Sequence, residues 1–357
     1  MISVHPLAQH TLPALGAEGG NEAPNEALAT SSDTPASLPL ASHALKSMPL
    51  AAGGLLLASC GGGGSSGGGI SFGPAQTDTE AARFLSQAGF SASTESMAAV
   101  RSLGLSDWLD SQLAMPVQGI SRYEWMVSNG YAVEANRTNF TGADNAIWLK
   151  FMSSPDPVRQ RMTLALSEIF VVSMQGLPIE WRGLCIAHYA DLLERHAFGT
   201  YRQLLQEVTL SVGMGSYLNM LGNRKEDTKS GRVPDENFAR EVMQLFSIGL
   251  QELNPDGSPR LVNGKPVESY TSDDVKGLAK VFTGYSWWIP PDKTSLEWWR
   301  CFYRDSTCKD ERQLTTSMSS YPQEHSISEK KFLGVTIAAQ TTPNPAGDLR
   351  IALACCA

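Results

Sequence analysis

From Thr77 onward apolar residues recur every three to four positions, and most such stretches close on glycine or stop before proline. That rhythm suits amphipathic helices packed against one another, and it suits little else. Thr79 to Ala88 places Ala81, Phe84, Leu85 and Ala88 on one face, with Gly89 as the stop. A second helix is expected after Thr94 and a third from Ser106 to Ala114, before Pro116. Asp156-Pro157 opens a longer one running to Ser173, with proline in the first turn and Val158, Met162, Ala165, Ile169 and Val172 as its inward stripe. Two more are expected over 180–197 and 200–221.

Pro234-Asp235-Glu236 begins the clearest helix. Its acidic first turn complements the helix dipole, Phe238, Val242, Leu245 and Phe246 form the stripe, and Gly249 ends it. Glu236 and Arg240, four apart, are placed to pair. Asn254-Pro255-Asp256-Gly257 reads as a turn and Asn263-Gly264 as the tip of a small hairpin. Thr271 and Asp274 have capping-box spacing, ahead of Val275, Leu278 and Phe282 and a stop at Gly284. The fold class expected is mainly α: a multi-helix globular domain with one small β-hairpin.

Hydrophobic residues make up 42% of the chain, enough for a real core, and the net charge of −8 leaves no basic face to displace counterions from phosphates. A nucleic-acid partner is not expected. Residues 1–47 lack periodicity and read as a disordered extension. Lys46 then precedes an apolar run, Met48 to Ala58, too short to span a bilayer and suited to a secretory signal. Leu57-Ala58-Ser59-Cys60 resembles the lipobox of bacterial lipoproteins, which implies lipid on the Cys60 sulfur, so 48–60 is taken as signal and lipobox. Residues 61–76, mostly glycine at first, read as a tether, and 77–353 as the helical domain. The expected address is a membrane-anchored lipoprotein in the periplasm or at the outer membrane.

Cys301 and Cys308 are candidates for pairing in an oxidising compartment, whereas Cys185 reads as a core position on a helix. No cysteine spacing suggests zinc. His188 and His196, eight apart, miss the spacing of four that puts two ligands on one helix face. The glycine run contains Gly63-Gly64-Ser65-Ser66-Gly67, a serine-hydrolase pattern, but without the strand and helix that give it meaning. No cofactor and no metal are implied.

The run Asp235-Glu236-Asn237-Phe238-Ala239-Arg240-Glu241-Val242-Met243-Gln244-Leu245-Phe246, then Tyr270-Thr271 to Asp274-Val275 and Phe282-Thr283-Gly284, resembles the bacterial family called domain of unknown function 1800. Ala82-Arg83-Phe84-Leu85, Met214-Gly215 with Tyr217 to Leu221, and His325 with Lys330 and Leu333-Gly334 agree with it. The resemblance covers roughly 77–353. It implies an exported, largely helical protein, often encoded near another exported protein that is a candidate partner, and no established activity. This chain departs from the family in three places. A His-x-His pair common in the family falls on Ser167 and Ile169. Tyr285 stands where tryptophan is usual. The helical phrase from Asp348 dissolves into Ala354-Cys355-Cys356-Ala357, an aberrant tail suggesting a frameshift or premature stop.

The richest polar cluster is Asn237, Arg240 and Glu241 on one helix with Asp274 on the next and His325 beyond. Arg240 offers a planar fork for a carboxylate or sugar hydroxyls, with Asn237 on the same face. Glu241, Asp274 and His325 are the candidate acid–base residues. The competing reading is an ion-pair and capping network between packed helices. Trp287 and Trp288, close to Trp298 and Trp299, are candidates for a sugar-stacking platform, against ordinary core packing. Two functions follow. One is a non-catalytic binding or scaffold protein at the cell envelope. The other is an envelope hydrolase acting on a glycan-type polymer.

Overall fold

The computed structural model describes residues 75, 77–298 and 311–356, all within one compact unit spanning Gly68–Ala357. Its first three helices, α1 (Asp78–Ala88), α2 (Thr94–Leu103) and α3 (Leu105–Ala114), enclose a small core of Ala81, Leu85, Val100 and Trp108. Serine and threonine caps set two of the starts: Thr77 accepts from Glu80 N, and Ser93 from Ser96 N. The main core is built by α4 (Arg122–Ser128), α5 (Ala143–Ser153), α6 (Pro157–Ile169), α7 (Arg182–Arg195), α8 (Tyr201–Leu210), α9 (Val212–Tyr217), α10 (Asn237–Gln244), α11 (Ser272–Val281) and α12 (Pro345–Cys356).

Three two-stranded antiparallel sheets decorate these helices where one hairpin was expected. The Asn263-Gly264 turn joins β1 (Leu261–Val262) to β2 (Lys265–Pro266), as its sequence predicts. A second pairs β3 (Tyr285–Ser286) with the distant β4 (Ser319–Ser320), a link with no local signal. The third joins β5 (Lys330–Phe332) to β6 (Val335–Ile337) through Leu333-Gly334, both at positive φ (47° and 76°).

Several expectations need correction. The helix expected over 200–221 is two helices, because the Ser211 hydroxyl accepts from Met214 N and caps a new start at Val212. Helix α10 begins at Asn237 rather than Pro234, and Leu245, just past its end, is 60% exposed while Phe238, Val242 and Phe246 are buried. The expected dissolution after Leu353 does not occur: α12 continues through Cys356, which is buried. Cys185 is buried in the core as expected, and burial pushes its thiol up to about 12, so it stays protonated. Cys60, Cys301 and Cys308 lie outside the described residues.

The largest correction concerns α6. Its apolar stripe faces outward, with Met162 40% and Ile169 48% exposed, while Arg159, Gln160 and Thr163 are buried. The polar face turns inward because a sealed charge cluster waits there. Arg122 of α4 reaches Glu194 Oε2 at 2.7 Å and Asp191 Oδ1 at 3.2 Å, both on α7, and Gln160 Oε1 at 2.7 Å. Gln160 Nε2 donates to Glu194 Oε1 at 2.7 Å and to Asp156 Oδ1 at 2.9 Å. Lys150 of α5 meets Glu194 Oε2 at 2.8 Å, and Arg159 lies 3.4 Å from Asp156. Three cations thus face three carboxylates away from water. Burial raises the pKa of Asp191, against the pull of Arg122 and the N–H groups of Tyr123 and Arg122.

Breaking one partner of such a cluster strands a buried charge. Arg122→Met is therefore expected to destabilise the fold by about 3–5 kcal/mol in urea titration. Arg101→Met, which removes only the exposed pair with Asp78, should leave the midpoint unchanged.

Candidate functional site

The chain between α9 and α10 forms one wall of a cleft of about 650 Å³. It leaves α9 through Asn219 and Gly222, both at positive φ (62° and 78°), the two sharp turns that fold it back. Gly222 N donates to Tyr285 O and Gly284 N to Asn223 O, each at 2.8 Å, which lays this segment along β3. The Asn223 amide then clasps Asp235 from both sides, accepting from its N at 2.9 Å and donating to its O at 3.1 Å. Arg224 Nε donates to Glu324 Oε2 at 2.8 Å, pinning the segment to the far loop.

Ser216, Asn219, Arg232, Asp235 and Trp287 contribute to the lining of this cleft, with Ile179 and Val233 among its apolar walls. Arg232 spends Nε on Lys225 O at 2.9 Å, and among the described residues its terminal nitrogens meet no acceptor. The Asn219 amide likewise makes no hydrogen bond among the described residues. These are groups a ligand can satisfy.

The residues expected to form a site are dispersed. Trp287 lines the cleft, but Trp288 lies beside it under the Arg312 guanidinium, 4.8 Å from ring centroid to carbon. Arg240 pairs with Glu236 at 3.2 Å, as the spacing of four predicts, and the Asn237 N–H donates to Asp235 Oδ1 at 2.9 Å. Glu241 keeps one buried carboxylate oxygen, Oε2, without a hydrogen-bond partner. None of Asn237, Arg240 and Glu241 lines the cleft.

Asp274 is the capping residue its motif suggested. Its Oδ2 accepts from Thr271 N at 2.8 Å and Oγ1 at 2.6 Å. Its Oδ1 accepts from Leu333 N at 2.7 Å, holding the turn where Leu333 is left-handed. Burial raises its pKa, but the Thr271 and Leu333 hydrogen bonds outweigh that and keep the carboxyl below its ordinary value.

His325 is fully buried, with Nδ1 2.7 Å from Thr283 O and Nε2 3.0 Å from Asp348 Oδ2. Lys330, also fully buried, donates to Ser326 O at 2.7 Å and pairs with the same Asp348 oxygen at 2.9 Å. Gln340 Nε2 completes the cluster, 2.7 Å from Asp348 Oδ1. The cluster fastens α12 to the β5–β6 hairpin and to the end of α11. Glu241, Asp274 and His325 therefore share no hydrogen bond among the described residues, and His325 is closed off from solvent.

Among the described residues no group of three or more His, Cys, Asp or Glu side chains could hold a metal ion, and no helix is long and apolar enough to cross a membrane. Sequence reasoning passed over Arg232, Asn219 and Asn223. Turn residues and cations crowded between two helices were the available signal.

The class these features define is a mainly helical protein with a loop-walled cleft, braced by two sealed charge clusters. Residues 83–354 match the family described as "Protein of unknown function (DUF1800)", and the chain belongs to that family. No curated protein and no solved structure matches it.

The Asp348 cluster has a measurable signature. Burial raises the Asp348 pKa, but hydrogen bonds from His325, Lys330 and Gln340 prevail and hold it below its ordinary value. Its contribution to stability is thus full above the ordinary carboxylate range and is lost as pH falls through the lowered value. Asp348→Asn, which strands Lys330, should cost about 3–5 kcal/mol at pH 7. In urea titrations from pH 7 to pH 3 the variant should show a shallower decline than the native chain.

Proposed function

We propose that this protein is a lipid-anchored binding protein of the bacterial cell envelope that holds a saccharide in the cleft between α9, α10 and β3. The observation that carries the reading is the free hydrogen-bonding capacity of Arg232 and Asn219 beside Trp287, in a cleft of about 650 Å³. Guanidinium and amide groups bind sugar hydroxyls and carboxylates, while Trp287, 8% exposed and packed in the main core, gives the cleft floor an apolar edge. Asp274 and His325, by contrast, spend their polar atoms on internal bonds. The segment from Lys46 to Cys60 supports export and acylation.

Calorimetric titration with a panel of envelope oligosaccharides tests the binding. At least one class should bind, and Arg232→Met should weaken it by about tenfold, the worth of one charge-assisted hydrogen bond. The melting temperature should fall only slightly, through loss of the Arg232 Nε bond to Lys225 O. Absence of binding across the panel, or equal binding by the variant, refutes the cleft.

A hydrolase is the second reading, favoured by Glu241 Oε2, which is buried and makes no hydrogen bond among the described residues and is therefore free to accept one from a substrate hydroxyl. Release of reducing ends that disappears in Glu241→Gln would establish it instead. Anchoring is tested separately: cells fed a labelled palmitate analogue should incorporate it into the native chain and not into Cys60→Ser.

A further inference from the structure

A second surface, away from the cleft, carries large apolar side chains in water. Ile120 is 49% exposed, Leu149 46%, Trp148 55% and Met152 59%. Ile120, Leu149 and Trp125 border one recess of about 140 Å³ between the 118–121 loop, α4 and α5. Trp148 and Met152 follow on adjoining positions of α5, four apart and hence on one face. Contiguous exposed apolar surface of this kind marks a docking site.

The charges around the recess are already spent. Arg122 and Lys150 line it, but both turn inward to Glu194. Glu124 closes a capping box with Ser121, accepting from its N and Oγ. Among the described residues the other exposed charges beside this face are one of each sign, Asp144 a turn before Trp148 and Arg161 over the Phe90 ring, so the surface selects neither a strongly acidic nor a strongly basic partner. An indole among Leu, Ile and Met is the composition that favours the boundary between headgroups and acyl chains.

The position of the chain's entry agrees. Phe90, just after α1, stacks on Phe151 of α5 with centroids 5.3 Å apart. Helix α1 is about 16 Å long at 1.5 Å per residue, so the chain enters it within about 20 Å of that stacking contact. The proposed acylation site, Cys60, precedes Asp78 by 18 residues, which span at most about 65 Å.

We infer that the face formed by Ile120, Trp148, Leu149 and Met152 rests on a zwitterionic phospholipid bilayer, orienting the domain on its own membrane. The choice of occupant rests on the anchoring proposed above, but the contact is a property of the folded domain and is measured without the lipid.

The test uses the full chain carrying Cys60→Ser, mixed with phosphatidylcholine–phosphatidylethanolamine vesicles brominated on their acyl chains. Bromine quenches only tryptophan that enters the bilayer, and residues 1–74 contain none. Quenching is expected, and Trp148→Phe should remove most of it. Leu149→Gln with Met152→Gln should lower vesicle partition by about tenfold or more, given the apolar area lost. Melting should be unaffected, since both side chains are exposed. Absence of quenching, or quenching indifferent to Trp148→Phe, overturns the inference. If the native chain incorporates palmitate while the Cys60→Ser chain is not quenched, the anchor stands and this face is not its contact.

Discussion

Four helices meet at one carboxylate. Glu194 of α7 receives Arg122 from α4, Lys150 from α5 and Gln160 from α6, and its side chain is 1% exposed. A hydrophobic contact tolerates a rotation of a few degrees; this cluster does not, because each misplaced partner leaves a charge in low dielectric. That demand fixes the rotation of α6 even against its apolar stripe. It leaves Met162 and Ile169 in water and puts Gln160 inside. The remaining helices then pack on a frame whose orientation is already decided.

The second half of the chain is organised by two carboxylates in the same manner. Asp274 ties the start of α11 to the Leu333-Gly334 turn, and Asp348 ties α12 to Lys330 and His325. Between them α11 lies directly on β5, and Gly277 makes this possible, since a Cβ there would collide with the Lys331 carbonyl. Gly284 plays the matching part beside His325, at φ 73° with no room for a side chain. The family motifs around these residues thus describe a mechanical joint. The groups left open for a ligand, Arg232 and Asn219, belong to the loop that the joint and the Asn223 clasp hold in place.

Much of this architecture was legible in the residues. The helical class, the end of α11 just before Gly284, the Thr271–Asp274 cap and the Asn263-Gly264 hairpin all follow from local rules, whereas α10 ends at Gln244, five residues short of the expected stop at Gly249. Helix α4 was also legible but overlooked, for Ser121 and Glu124 have capping-box spacing. What periodicity could not give was the inward face of α6, because apolar pattern assumes that burial follows hydrophobicity, and here buried charge overrides it. Helix α5 is blurred for the same reason, with Lys150 inside and Trp148 and Met152 outside. The cleft was the least legible feature, since Asn223 and Asp235 lie twelve residues apart and β3 meets β4 across 33 residues. Motif order also says nothing of distance: the packing these motifs create gives Asp274 and His325 internal partners of their own and no hydrogen bond to Glu241.

The closed charge cluster also bears on how the chain reaches its fold. No pair among α4, α5, α6 and α7 balances the cluster alone: Arg122 and Lys150 need Glu194, and Glu194 needs Gln160 to complete its bonds. Partial assemblies would have to dehydrate ions before their counterions arrive, so they gain little from forming early. The four helices therefore constitute one cooperative unit, in which slow exchange of backbone amides is shared rather than graded from helix to helix.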